Sequence, residues 1–149
     1  NLIGALESKG YTITDNSSQP ITADLLAPYD ILVIPGLELG NKLVGGDPSL
    51  LPNADVEAIK SFVEGGKGLL IMEGSDYESY NFYRVQNKVL DALNFGLHFQ
   101  HDEVEDPDFS EPYWFDAEVT DDEFGADYRT ATGLTAVRVY GVCSLAELL

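Results

Sequence analysis

The stretch GLLIMEGSDY, residues 68–77, is a short apolar run that stops at a glycine and a serine. In many α/β enzymes, a nucleophile lies at such a corner between a strand and a helix. The corner is strained and crowded, so it needs small residues on both sides of the nucleophile, as in Gly-x-Ser-x-Gly. Gly74 precedes Ser75 directly, but Asp76 and Tyr77 follow it. We therefore interpret Gly74-Ser75 as a plain turn and keep a serine nucleophile as the alternative.

A serine nucleophile also needs a base that a third group orients. The chain has two histidines, His98 and His101, both near the end of the predicted strand LHFQ. In an open parallel sheet, the carboxyl ends of the strands meet at one crevice, which would bring a histidine near Ser75. The alternative function is therefore a serine hydrolase with Ser75 as nucleophile, His98 or His101 as base, and Glu73 as the orienting or acidic group.

The same corner could bind a small molecule, because a helix N-terminus presents free N–H groups to anions and polar ligands. Glu73 beside Asp76 could also act as acid and base or hold a hard cation. Ordinary helix capping and a solvated acidic rim are the plainer interpretation of these residues. The candidate ligand-binding residues are Gly36, Glu73, Gly74, Ser75, Asp76 and Asn81.

Two groups of residues have side chains that bind metals. The first consists of His98, His101, Asp102 and Glu103. Alternation along a strand places its two imidazoles on opposite faces, so a transition-metal site would require the strand to end at Gln100. The second pairs Asp106 with Asp108, which could bind calcium but lack the Asp-x-Asx-x-Asx-Gly loop. We interpret both groups as surface side chains, keep a divalent-cation-binding module as a further alternative, and predict no cofactor.

Charge is the unusual feature of the composition, since 26 acidic and 8 basic residues give a formal net charge of −18. Such a charge repels phosphate backbones, so we expect no nucleic acid partner. It also keeps a protein soluble where salt screens self-repulsion, which suggests a halophilic source, with an acidic mesophilic domain as the equal alternative on charge alone. No apolar run approaches about 18 residues, so we expect no membrane insertion. The single cysteine, Cys143, excludes an internal disulfide and a CxxC metal site.

Hydrophobic periodicity divides residues 1–100 into alternating helices and strands. The continuous apolar run at residues 31–34 is typical of a strand buried on both faces, and residues 69–72 predict a second strand. Between them, a helix begins at Asn53 or Asp55 and ends at Gly65-Gly66. Further helices are predicted at residues 1–9 and 81–93, a short helical turn after Thr22, and strands at residues 11–14 and 97–100. This alternation predicts βαβ units, a mainly parallel sheet and helices on both of its faces.

Residues 101–149 differ in composition and read as an acidic extension with a last strand. From Asp102 to Asp127 there are twelve acidic residues and no basic one. Aromatic residues lie among them, and we interpret these as core anchors, with a docking patch at residues 113–115 as the alternative. Residues 135–143 predict a strand, and the capping-box spacing of Ser144 and Glu147 predicts a helix start. Because both ends lie within patterned segments, we expect a fragment of a longer protein.

The motifs LLAPYDILVIPG and DVEAIKSFVEGGKGLLIMEGSDY resemble the class I glutamine amidotransferase-like superfamily. The resemblance covers residues 1–100 and implies a flavodoxin-like three-layer α/β sandwich. Members normally begin with a central strand that is absent here, and residues 135–143 are the candidate to fill its place. True amidotransferases also carry a cysteine at the corner where this chain has Ser75, so we expect no glutaminase activity.

The resemblance is nearest to the non-catalytic branches of that superfamily, such as trehalose-utilisation-like and transporter-auxiliary domains. It implies that residues 1–149 form one domain that serves in ligand binding or protein assembly. The expected partners are other domains of the same polypeptide or a separate protein.

Overall fold

The computed structural model describes residues 2–16, 19–35, 51–73, 83–108 and 114–148 of the 149-residue chain. Within them, the fold is mixed α/β, with helices and small sheets. In chain order, the elements are α1 (Leu2–Ser8), α2 (Ala23–Leu26), β1 (Ile31–Ile34), α3 (Asn53–Glu64), β2 (Gly68–Ile71), α4 (Tyr83–Ala92), β3 (Leu97–Phe99), β4 (Trp114–Glu118), α5 (Glu123–Thr132), β5 (Ala136–Tyr140) and β6 (Leu145–Glu147). None of the described helices is long and apolar enough to cross a membrane.

The hydrophobic core lies where α3 and α4 cover the parallel pair β1–β2. Ile59, in the middle of α3, is 0% exposed and packs with Ile34 of β1 and Val89 of α4. Apolar residues at helical spacing put these side chains on the inner face of each helix. The predicted helix between the two strands is thereby confirmed, including its start at Asn53.

The two faces of the pair β1–β2 differ in burial. Leu32 lies opposite Leu69 in the parallel register, and both side chains pack against the core. Strand side chains alternate, so Ile31 and Leu70 point to the opposite face, where both are exposed. The prediction that β1 is buried on both faces is therefore wrong at Ile31.

Local sequence signals set the ends of α2 and α3. The Thr22 side chain caps α2 by accepting a hydrogen bond from the Leu25 amide at 3.1 Å. Just beyond α3, Gly66 has a φ of 87°, a conformation that glycine adopts without steric cost. In the first turn of α3, buried Asp55 accepts a hydrogen bond from the Ile21 amide at 2.8 Å. That bond fastens the segment before α2 to α3.

Two of the three described strand pairs are antiparallel, which corrects the expected mainly parallel sheet. β1 pairs with β2 in parallel, whereas β3–β6 and β4–β5 are antiparallel. The predicted strand at 135–143 forms as β5 but pairs with β4, so it does not fill the place of a missing central strand. Residues 145–147 form β6 rather than the predicted helix, because β3 supplies their main-chain partners. Residues 11–14 form no strand.

The acidic extension contains a helix that the sequence analysis missed. The Asp122 side chain caps α5 by accepting from the Gly125 amide at 2.8 Å. Arg129 of α5 donates to the Val119 carbonyl at 2.9 Å and pairs with Asp121 at 3.0 Å. These bonds hold α5 against the end of β4, so residues 114–140 form a β4–α5–β5 unit.

Candidate functional site

Most of the predicted corner lies outside the described residues. The candidates outside them are Gly36, Gly74, Ser75, Asp76 and Asn81. Glu73 is described and follows β2 by two positions. The serine nucleophile and the ligand site at the corner therefore stay predictions. The geometry on either side of the corner comes from the ends of β1 and β2, from α4 and from β3.

Gln86 fastens the start of α4 to the carboxyl ends of β1 and β2. Its side chain is 0% exposed. The Nε2 atom donates to the Pro35 carbonyl at 3.5 Å and to the Met72 carbonyl at 3.4 Å. Pro35 and Met72 are the first residues after their strands, so one buried amide links the first turn of α4 to the carboxyl ends of both β1 and β2.

Asn87 holds β3 beside α4 through two hydrogen bonds to the main chain. Its Nδ2 donates to the Phe99 carbonyl and its Oδ1 accepts from the Phe99 amide, each at 2.9 Å. The buried carboxamide therefore satisfies both main-chain groups of one strand residue, as a neighbouring strand would. This pair of bonds fixes the register in which β3 runs beside the helix.

The two candidate histidines lie at opposite ends of α4. His101 stacks on Tyr83 at the helix start, with ring centroids 5.3 Å apart. His98 lies near the helix end, with its Nε2 atom 2.8 Å from Asp91 Oδ1. Tyr83 and Asp91 are separated by about 12 Å along the helix axis. Because Gln86 links the first turn of α4 to the carboxyl ends of β1 and β2, His101 is the histidine at the helix end that contacts those strand ends.

The only cysteine lies within the influence of two carboxylates. Burial, the charge of Glu73 and the charge of Asp102 raise the pKa of Cys143 from 9.0 to about 11. Asp102 is held beside it, because it accepts hydrogen bonds from the Ser144 amide at 2.8 Å and from Ser144 Oγ at 2.6 Å. The nucleophilic form of cysteine is the thiolate, so Cys143 is a poor nucleophile near neutral pH.

We expect folded protein to react with iodoacetamide at Cys143 about a hundredfold more slowly at pH 8 than urea-denatured protein, given the raised pKa. The rate for folded protein should keep rising towards pH 11, whereas the denatured rate should level off near the ordinary thiol pKa. By linkage, this group stabilises the fold fully below pH 9 and less as the pH rises to 11. Equal rates at pH 8 in folded and denatured protein would contradict the assignment.

The metal candidates make other contacts. Asp106 Oδ1 accepts from the Asp108 amide at 3.0 Å, a local turn. Asp102, from the first candidate group, is engaged by Ser144, and His98 by Asp91. Across the described segments, no group of three His, Cys, Asp or Glu side chains could hold a metal ion. A calcium site at residues 106 and 108 stays a prediction.

An exposed face of aromatic and charged side chains lies on β4–β5. In the antiparallel register, Trp114 is opposite Tyr140 and Asp116 is opposite Arg138, while Glu118 follows on the same side. We call these five residues the β4–β5 face. Trp114 is 38% exposed and Tyr140 is 56% exposed. The interpretation of Trp114 as a core anchor is therefore wrong.

A bidentate salt bridge between Arg138 and Asp116 lies in the middle of the β4–β5 face. Arg138 Nε and Nη2 donate to the two Asp116 carboxylate oxygens at 2.7 and 2.8 Å. Arg138 lowers the pKa of Asp116, and Asp116 raises the pKa of Arg138. Beside this pair, the Trp114 and Tyr140 rings have centroids 4.8 Å apart and are tilted by 51°. Paired charges next to an exposed aromatic pair form a surface suited to binding.

Comparison with known proteins gives no assignment. No family model, curated protein or solved structure matches this chain. The resemblance of residues 1–100 to amidotransferase-like domains therefore stays a prediction, and the function has to be argued from the described geometry.

Sequence analysis missed several residues that organise these sites: Gln86, Asp91, Asp116, Arg138 and Tyr140. Gln86 occupies a core position between Val85 and Val89, and its spacing marked it as buried. Arg138 and Tyr140 alternate with valines in β5, so period two already put them on the exposed face. The pairing of β5 with β4 had no such local signal.

Proposed function

We propose that this chain is a non-catalytic domain of the amidotransferase-like, flavodoxin-like kind. In this proposal it serves in ligand binding or protein assembly within a larger polypeptide of a halophilic organism. The parallel β1–α3–β2 unit supports the architecture, and the net charge of −18 supports the source.

The observation that carries the binding role is the exposure of the β4–β5 face. Tryptophan, tyrosine and arginine are the residue types most enriched in the energetic centres of protein interfaces, and Trp114, Tyr140 and Arg138 bring all three together. The lack of catalysis is supported by the corner sequence, which has no cysteine, and by the raised pKa of Cys143. A surface of this kind serves recognition rather than covalent chemistry.

The serine hydrolase remains the second candidate because His101 lies beside the start of α4, where Gln86 contacts the carboxyl ends of β1 and β2. His98 is a weaker candidate base, since it contacts Asp91 near the other end of the helix. A hydrolase on this chain would therefore use Ser75 with His101. Its activity should disappear in Ser75→Ala and in His101→Ala but survive in His98→Ala.

On the proposed function, we expect wild-type protein to hydrolyse p-nitrophenyl esters and anilides no faster than Ser75→Ala does. The reason is that Ser75 lacks the small residues that a nucleophile elbow requires after the serine. Initial rates are compared at matched protein concentrations, with Ser61→Ala, an exposed serine on α3, as the control. A rate that falls at least about a hundredfold in Ser75→Ala alone would refute the non-catalytic proposal.

A further inference from the structure

We propose that the β4–β5 face binds an extended, arginine-bearing segment of a protein partner. The inference rests on the proposed function and names the partner class for that same face. Along one side of the two strands, the face presents an aromatic pair, an ion pair and then the Glu118 carboxylate. A guanidinium can lie over an aromatic ring and can also pair with a carboxylate, so arginine matches both ends of the face.

The ring geometry favours a cation over a sugar. Trp114 and Tyr140 are tilted by 51°, so the two rings do not join into one flat surface on which a sugar ring could stack. A guanidinium needs only one ring face, within about 6 Å of its centroid. The exposed tyrosine and tryptophan therefore offer a site of the size of a single arginine head group.

The charges around the face select a cationic partner. Arg138, the only basic residue in β4 and β5, is engaged by Asp116, and Arg129 of α5 is engaged by Asp121. The surplus charge of the surrounding segment is therefore negative. A second copy of the chain would bring another charge of −18 to the face, which opposes self-association. An arginine-bearing segment reduces that repulsion and gains from the surplus carboxylates.

The spacing of the face predicts the spacing of the partner's arginines. Trp114 and Glu118 lie on the same side of β4, about 13 Å apart at the usual rise of a strand. An extended segment spans that distance in four residues. The partner should therefore carry Arg-x-x-x-Arg, with one arginine over the ring pair and the other at Glu118.

The test uses the full chain and two synthetic nine-residue peptides of equal composition, built from serine, threonine and three arginines. One peptide has arginine at its first, fifth and ninth positions, and the other has the three arginines adjacent at its centre. Trp114 is the only tryptophan, so its fluorescence reports binding at the face itself. We expect a saturable fluorescence change, with at least threefold tighter binding of the spaced peptide and weaker binding of both at high salt.

Matched variants distinguish peptide binding at the β4–β5 face from nonspecific attraction of the cationic peptide to the acidic protein. Tyr140→Ala should weaken binding of the spaced peptide about two- to fivefold, the range for an exposed cation–π contact. Tyr11→Ala removes a tyrosine of nearly equal exposure, 55% against 56%, and should leave the affinity unchanged. Glu118→Gln should weaken binding and reduce the preference for spaced arginines. Glu57→Gln removes the same charge from an exposed position of α3. It should change neither the affinity nor the preference for spaced arginines.

Three results would overturn the proposal. Equal effects of the two tyrosine variants, or of the two glutamate variants, would show that only the overall charge attracts the peptide. Binding by calorimetry without any change in Trp114 fluorescence would place the peptide elsewhere. Saturation by a neutral oligosaccharide, with no response to either peptide, would make the face a glycan site. All three leave the test for Ser75-dependent hydrolysis unaffected, so failure of this inference and failure of the non-catalytic proposal remain distinguishable.

Discussion

Ile59→Ala is expected to lower the free energy of unfolding by about 2–5 kcal/mol, the range for a large-to-small change in a packed core. Ile59 is 0% exposed and lies between Ile34 of β1 and Val89 of α4. Removing its outer carbons loses their burial and leaves a cavity where α3, β1 and α4 meet. The loss should appear as a lower urea midpoint with an unchanged slope, because the surface exposed on unfolding stays nearly the same.

The control for this prediction is Ile31→Ala, the same change at an exposed position of β1. About half of this side chain is already exposed, so we expect a smaller loss of about 1 kcal/mol. Ile59→Val, which removes one methyl group, should likewise cost less than Ile59→Ala, about 0.5–1.5 kcal/mol. If Ile59→Ala and Ile31→Ala lowered stability equally, the core would not lie where α3 meets β1–β2.

The elements around this core were predictable because their signals are local. The apolar spacing of α3, the glycines after it and the continuous apolar runs of β1 and β2 all lie between residues 31 and 71. Each signal depends on a residue and its neighbours three or four positions away, or on a run of adjacent residues. Pairing of β1 with β2 also follows, since one helix joins them and sequential strands tend to be adjacent.

The C-terminal part was less predictable because its pairing is distant in sequence. β6 is the last described element and pairs with β3, while the capping-box spacing of Ser144 and Glu147 favoured a helix. Tertiary pairing overrode the local helix preference of residues 144–147, because β3 supplies main-chain hydrogen-bond partners that an isolated helix start lacks. Likewise, residues 135–143 read correctly as a strand, but nothing local indicated β4 rather than β1 as its neighbour.

The candidate site was predicted in its residue types and only partly in its geometry. Strand alternation predicted His98 and His101 on opposite faces, but β3 ends at Phe99 and both histidines contact the same helix, α4, through Asp91 and Tyr83. The register of β3 along that helix had no local signal. Trp114 was assigned to the core because aromatic residues usually are buried. Its exposure depends on which side of β4–β5 faces α5, and that helix had not been predicted.

Asn87→Ala is expected to lower the free energy of unfolding by about 2–4 kcal/mol, because it leaves two partly buried main-chain groups of Phe99 without their Asn87 hydrogen bonds. The effect should be local as well as global. The Phe99 amide should exchange with solvent much faster in the variant, since its acceptor is the lost Asn87 Oδ1. Hydrogen exchange followed by NMR measures this at the single residue, and urea unfolding measures the total.

Two further variants test whether the paired bonds, rather than the helix residue itself, hold β3 in register. Asn87→Asp keeps an acceptor for the Phe99 amide but replaces the donor to its carbonyl with a buried carboxylate oxygen, so near neutral pH it should destabilise the fold at least as much as Asn87→Ala. Arg84→Ala changes an exposed residue of the same helix and should leave exchange at Phe99 unaltered. If Asn87→Ala kept slow exchange at Phe99, β3 would be held to α4 by other contacts. The separation of His98 from His101 along α4 would then no longer depend on this amide.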